Sequence, residues 1–163
     1  DCLVEVELLD RNGQHKIVPA DELNFAYRES KLKYSQDVVL SATLQLKPGD
    51  RDRLESEREA TLALRHSKHP DYKKVPCAGS FFKNIVRPDG SRTAAGWFLD
   101  QAGCKNLTVG DAAVFEGHAN IVINRGLAKA QDIYALSKKM QEKVLERFEI
   151  RLEPEVRLLG AFD

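Results

Sequence analysis

Between positions 77 and 84 the chain reads Cys-Ala-Gly-Ser-Phe-Phe-Lys-Asn, placing a hydroxyl, a cation and an amide within five residues, beside two aromatic rings and a glycine. A site that binds an anion and hands over one proton needs this mixture. Ser80 carries a transferable proton, Lys83 a fixed positive charge, and Asn84 both a donor and an acceptor. A plainer account also fits: a buried strand with Phe81 and Phe82 as core, Ser80 and Lys83 as exposed neighbours, and Gly79 as a turn. The octapeptide alone leaves both open.

Three further groups of residues bear on the choice. Tyr27-Arg28-Glu29-Ser30 offers a guanidinium, whose planar fork holds a carboxylate through two hydrogen bonds where an ammonium offers one point of charge. In Leu152-Glu153-Pro154-Glu155-Val156-Arg157 the proline pushes Glu153 out of helical geometry and fixes how two carboxylates enter the following segment. His118, in Gly117-His118-Ala119-Asn120, can donate to a ligand oxygen or cap a turn. Each of the three also has a purely structural reading. Charge adds a direction. Residues 65–92 carry seven Lys or Arg against two Asp, a local +5 in a chain whose 25 basic and 25 acidic residues otherwise cancel. A basic patch in a neutral protein suits one specific anionic ligand, or a solvated loop, better than the broad footprint of a nucleic-acid binder.

The elements that must position these groups follow from periodicity. Residues 2–9 and 15–18 read as two strands of a hairpin turning at Asp10-Arg11-Asn12-Gly13, followed by a helical turn at 19–23. Alternation over 38–46 predicts a strand with one buried face, and Pro48-Gly49-Asp50 ends it. A charged helix lying on the surface is predicted for 50–67. Residues 68–93 hold Pro70, Pro76, Gly79, Pro88 and Gly90 without sustained periodicity and read mostly as loop. A short helix over 94–102, strands at 107–115 and 119–124, a turn at Asn124-Arg125-Gly126, and a last strand at 155–160 complete the order. The strongest helix is 129–148, where Ile133, Leu136, Met140, Val144 and Phe148 recur at steps of three and four to make a core-facing stripe. The order predicts an α+β architecture with a mixed or antiparallel sheet.

The 163 residues, 42% hydrophobic and 31% charged, suffice for one ordinary domain, or a domain with part of another. No apolar run reaches membrane-spanning length. Cys2, Cys77 and Cys104 lack the close pairing of a disulfide framework or a zinc site, so a reducing, cytoplasmic setting without metal is expected. The chain opens on Asp1 rather than Met, as a processed product or fragment would.

Taken in order, Tyr27-Arg28-x-Ser30, Arg65-x4-Pro70, Ala78-Gly79-Ser80-Phe81-Phe82-Lys83-Asn84, Ala95-Gly96-Trp97, His118-Ala119-Asn120 with Asn124, and Leu152-Glu153-Pro154-Glu155-Val156 with Gly160 closely resemble the UDP-N-acetylenolpyruvoylglucosamine reductase family. The resemblance covers essentially the whole chain and falls in the family's compact branch. It implies a cell-wall enzyme that reduces UDP-N-acetylglucosamine enolpyruvate to UDP-N-acetylmuramate through FAD, with NADPH as co-substrate. By the same resemblance Ser80 protonates C2 of the enolpyruvyl group, and Arg28 and Glu155 stabilise the enol-like intermediate. Tyr27, Lys68, Lys83, Asn84, Lys105 and His118 line the UDP-sugar site, and Arg157 lies near the flavin.

The residue types suit that chemistry. Hydride addition to an enol ether conjugated with a carboxylate builds charge on the carboxylate, and the carbon then needs a proton. The resemblance further implies that residues 1–48 are the end of an FAD-binding domain and 49–163 a substrate domain, with 155–163 returning to the flavin domain as a variant. The glycine-rich loops that hold the flavin pyrophosphate are absent from this sequence. A UDP-sugar-binding module without redox chemistry is therefore the alternative.

Overall fold

A computed structural model describes residues 2–162. The chain separates into two compact units, the first running to Leu54 and the second starting at Glu55.

In the first unit, strand β1 (Leu3–Leu9) lies between β2 (His15–Pro19) and β3 (Val38–Leu44), with both pairings antiparallel. The Asp10 carboxylate accepts the Asn12 and Gln14 N–H groups and so closes the β1–β2 hairpin. Val6 and Leu8 form the inner face, covered by Leu23 from a 3₁₀ turn at Ala20–Leu23, with Leu3, Val18 and Leu32 beside them. The expected buried face of β3 is not found: all seven residues of the strand are exposed. The apolar cluster of this unit draws on β1, β2 and the two 3₁₀ turns and includes no residue of β3. On the opposite face of β1, Glu7 takes the Ser41 hydroxyl and Glu5 the Thr43 hydroxyl across the β1–β3 pair.

Helix α1 (Arg51–Lys68) starts where the Asp50 carboxylate accepts the Arg53 N–H, an N-cap bond. It buries no residue, in keeping with its charged sequence.

The second unit is built on a four-stranded antiparallel sheet with order β4 (Cys77–Ser80), β9 (Ile121–Asn124), β8 (Ala112–Val114), β7 (Thr108–Val109). A separate hairpin pairs β5 (Ile85–Val86) with β6 (Arg92–Thr93). Both faces of the central strands are covered. Helix α3 (Ala130–Phe148) lays Leu136, Met140 and Val144 against Ala112, Val114 and Val122, together with Phe98 and Leu99 of α2 (Ala95–Gln101). On the other face Ala113, Ile121 and Ile123 pack with Val75, Cys77 and Phe115.

The segment expected to be mostly loop is so, with the short strands β4, β5 and β6 set in it. Two expectations need correction here. The single strand expected at 107–115 is two, because Gly110 at φ +53 turns the chain between β7 and β8. The last strand, expected at 155–160, does not form. Pro154 makes an isolated bridge with Phe82, after which the backbone bends and exposes Leu158 and Leu159. Proline offers no N–H to continue a ladder, so attachment passes to single bonds on either side of it.

Candidate functional site

Ser80 closes β4, paired with Ile121 of β9, while Cys77 pairs with Ile123; between the two pairs the register slips. The slip falls on Ala78-Gly79, and Gly79 sits at φ +79, a conformation that glycine adopts without penalty. The result is a β-bulge, a device that turns a strand and re-aims the side chain beyond it, which here is Ser80. The next two residues are anchored firmly. Phe81 and Phe82 are almost fully buried, as the core reading expected.

Asn120 holds both of them. Its C=O accepts the Phe81 N–H at 2.8 Å, its Oδ1 accepts the Phe82 N–H at 2.9 Å, and its Nδ2 donates to the Phe82 C=O at 2.9 Å. The Glu155 segment attaches to the same place. Phe81 C=O accepts the Glu155 N–H at 2.8 Å, and the Lys83 N–H donates to the Glu153 C=O at 2.9 Å. Ser80 and Glu155 thus sit on two segments joined through one residue, Phe81. Both are half-buried.

Lys83 places its ammonium on the Glu153 carboxylate, 2.5 Å away, so part of its charge is already answered. Asn84 accepts the Ala95 N–H at 3.2 Å and caps the first turn of α2. Arg157 lies two residues beyond Glu155 on the same segment and is exposed.

A second group forms around His118. A shallow cleft of about 230 Å³ is lined by His118, Lys105, Asp100, Trp97 and the small residues Ala94, Gly96, Gly117 and Ala119. Lys105 pairs with Asp100 at 3.0 Å across it. The Lys68 carbonyl lies so near Gly117 that a Cβ there would stand 3.2 Å from it, which brings the end of α1 to the His118 turn. Lys105 and His118, separate in sequence, therefore share one cleft, with the backbone of Lys68 at its Gly117 edge.

His118 is itself unusual. Burial, then the neighbouring His69 ring, then Lys105 and Lys68 hold its pKa below the ordinary histidine value, against a backbone hydrogen bond that raises it. Its Nδ1 lies 3.2 Å from the Asn120 N–H. An amide N–H only donates, so Nδ1 accepts and the neutral ring carries its proton on Nε2.

Tyr27 and Arg28 belong to the first unit. They form the two central residues of a tight turn closed by reciprocal bonds between Ala26 and Glu29, and Arg28 occupies the left-handed region at φ +58. For an arginine that conformation is uncommon and costs energy, so its neighbours hold it there. The Lys33 ammonium donates to the Arg28 carbonyl, and the Arg28 guanidinium lies 5.7 Å from the centre of the Tyr27 ring.

The family model for the UDP-N-acetylenolpyruvoylglucosamine reductase C-terminal domain matches residues 69–159. The chain belongs to this family. The matched stretch holds Ser80, Lys83, Asn84, Lys105, His118, Glu155 and Arg157; Tyr27, Arg28 and Lys68 precede it. The UDP-N-acetylenolpyruvoylglucosamine reductase of Synechococcus sp. (strain JA-3-3Ab) is 42% identical over 164 residues, which cover 100% of this chain and 50% of that protein. That of Gloeobacter violaceus is 42% identical over 161 residues, 98% of this chain and 52% of the relative. The crystal structure of the Thermus caldophilus reductase superposes with a TM-score of 0.76 at 31% identity, covering 96% of this chain and 53% of that one. The chain spans about half the length of the curated relatives it matches. Its α+β fold is that of the reductase family's C-terminal part.

Sequence reasoning quoted Asn120 as a motif residue of the reductase family but gave it no role. Its signal was legible: a polar side chain immediately before the apolar run Ile121-Val122-Ile123. It passed over His69 and Tyr72. A second cleft, of about 610 Å³, is lined by these two together with Leu62, Arg65, His66, Pro70, Asp71 and Lys73. Only the local excess of basic charge hinted at it. Among the described residues no group of three His, Cys, Asp or Glu side chains could hold a metal ion, and no helix is long and apolar enough to cross a membrane.

Proposed function

We propose that this chain is the substrate-handling part of a UDP-N-acetylenolpyruvoylglucosamine reductase, acting in peptidoglycan synthesis within a longer protein. One observation carries the reading. Ser80 stands on a bulged strand joined through Phe81 to the segment that carries Glu155, so a proton donor and a carboxyl are held on one rigid support. In this reading Ser80 gives its proton to C2 of the enolpyruvyl group while Glu155 meets the charge that develops at the substrate carboxylate; for Arg28, on the first unit, only the family resemblance speaks for the same role. A serine hydroxyl is a weak acid, and it serves because the enolate it protonates is a strong base.

Lys68, Lys105 and His118 would bind the diphosphate of the UDP-sugar, with Lys83 and Asn84 lining the sugar; for Tyr27, on the first unit, only the family resemblance speaks for a part in binding. The hydride would come from FAD, reduced by NADPH. The described residues offer that flavin Arg157 but no glycine-rich loop for its pyrophosphate, so they do not by themselves make a flavin site.

The test is Ser80→Ala in the protein that carries this chain. Reduction of the flavin by NADPH should proceed at the normal rate, while turnover of UDP-N-acetylglucosamine enolpyruvate falls by about 10² to 10⁴, the usual contribution of a positioned general acid. Turnover within threefold of the parent would remove Ser80 from the reaction.

A further inference from the structure

His69 and His118 come from different parts of the chain, and their rings meet at a centroid distance of 5.3 Å. Each faces a different cleft: His69 lines the larger one and His118 the smaller. The Tyr72 hydroxyl lies 3.1 Å from Nδ1 of His69 and fixes that ring from the far side. Burial is the first cost of charging His118; two imidazolium ions so close also repel one another, and the other neighbours of this ring add to the cost. Lys68 approaches it from the end of α1 and Lys105 from the turn after α2, and the one carboxylate lining the same cleft, Asp100, is paired with Lys105. On the His69 side Arg65, His66 and Lys73 stand against Asp71 alone. A diphosphate entering the smaller cleft would reverse this balance, because it brings two or more negative charges to a cleft whose one carboxylate is already paired with Lys105.

We infer that His69 is a positioning residue that keeps the His118 ring neutral until an anion arrives, so that binding of a diphosphate takes up one proton on His118. The proton comes from the buffer and enters at Nδ1, since Nε2 already holds one. The inference deepens the function proposed above and rests on it only for the identity of the anion.

The sign follows from linkage. The bound state holds more protons than the free state, so affinity rises as pH falls through the interval between the bound and free pKa values of His118. One proton limits the slope to about tenfold per pH unit, and above the bound pKa the dependence vanishes.

The 163-residue chain is titrated with inorganic pyrophosphate and, in a second arm, with UDP-N-acetylglucosamine, by calorimetry in two buffers of different ionisation enthalpy. Once the protons that pyrophosphate itself exchanges are subtracted, uptake between zero and one per ligand is expected in both arms, and it should disappear in His118→Asn. Independently of any ligand, NMR titration of the His118 ring should show a higher pKa in His69→Gln, which keeps bulk but removes the neighbouring imidazole, and the uptake interval should move up with it. A merely structural His69 would leave that pKa in place. An unchanged His118 pKa in His69→Gln, binding without proton uptake, or no binding of pyrophosphate overturns the inference. Pyrophosphate binding with proton uptake, but no binding of the sugar nucleotide, would uphold it and count against the proposed function instead.

Discussion

Asn120→Ala is the sharpest structural test of how the site is held. Asn120 is 2% exposed and Phe82 is 1% exposed, so water reaches neither. The substitution removes both partners of the Phe82 backbone, the Oδ1 that takes its N–H and the Nδ2 that serves its C=O. A buried polar group left without a partner costs about 1–3 kcal/mol, so two of them should destabilise the second unit by about 2–6 kcal/mol. With a urea slope of about 2 kcal/mol/M, the unfolding midpoint should fall by roughly 1–3 M. Trp97 is the single tryptophan and lies in this unit, so its fluorescence follows the transition.

A local probe accompanies the global one. The Phe82 amide should exchange with solvent much faster in the variant, because its acceptor is gone. Asn120→Asp separates shape from hydrogen bonding, since it keeps an acceptor for the Phe82 N–H but turns a second oxygen toward the Phe82 C=O. Burial beside a carbonyl raises the new carboxyl's folded-state pKa. Its stability deficit should therefore shrink as pH falls through that pKa and be complete above it. A loss below about 1 kcal/mol in Asn120→Ala, with Phe82 exchange unchanged, would refute the claim that Asn120 is the anchor.

Burial pushes the Cys104 thiol up to about 11, so at pH 8 it should resist a disulfide reagent that labels exposed Cys2 at once, and react only when urea unfolds the second unit. Cys77 is half-buried and can react at an intermediate rate, so rapid labelling of all three thiols in the folded protein would contradict the buried position of Cys104. Gly79→Ala has open space for its methyl but must hold φ +79, so it should cost about 1–2 kcal/mol through backbone strain alone. A variant as stable as the parent by urea unfolding would show that the bulge needs no left-handed residue.

Where a segment interacts mainly with itself or with one uniform surface, the sequence was legible. The stripe of α3 predicted its buried face because a helix burying one side against a sheet needs apolar residues at steps of three and four. The hairpin of β1 and β2 was visible for a similar reason, as its turn chemistry is local. Failures came where the outcome depends on something distant. The alternation in β3 says that the strand has two faces but not that the apolar cluster of its unit includes no residue from it. The strand expected at 155–160 depended on a free sheet edge, and Phe82 offers Pro154 one bridge only. At the site, the Ser80 motif could be read from residue types, whereas the meeting of His69 with His118 joins positions 49 residues apart and leaves no local mark.

Asn120 also ties together the two halves of the proposed chemistry. Its side chain fixes Phe82, two residues from Ser80, while its own N–H donates to Nδ1 of His118. A proton arriving at Nδ1 turns that acceptor into a donor, and two donors cannot face each other, so charging His118 must release the Asn120 N–H. The side-chain bonds to Phe82 involve other atoms and survive the change. The geometry therefore lets the anion cleft alter its charge while the support under Ser80 stays fixed. A proton donor that must act on carbon requires that separation, because its hydroxyl works only from a fixed distance, whereas the cleft must accept and release a charged ligand in every cycle.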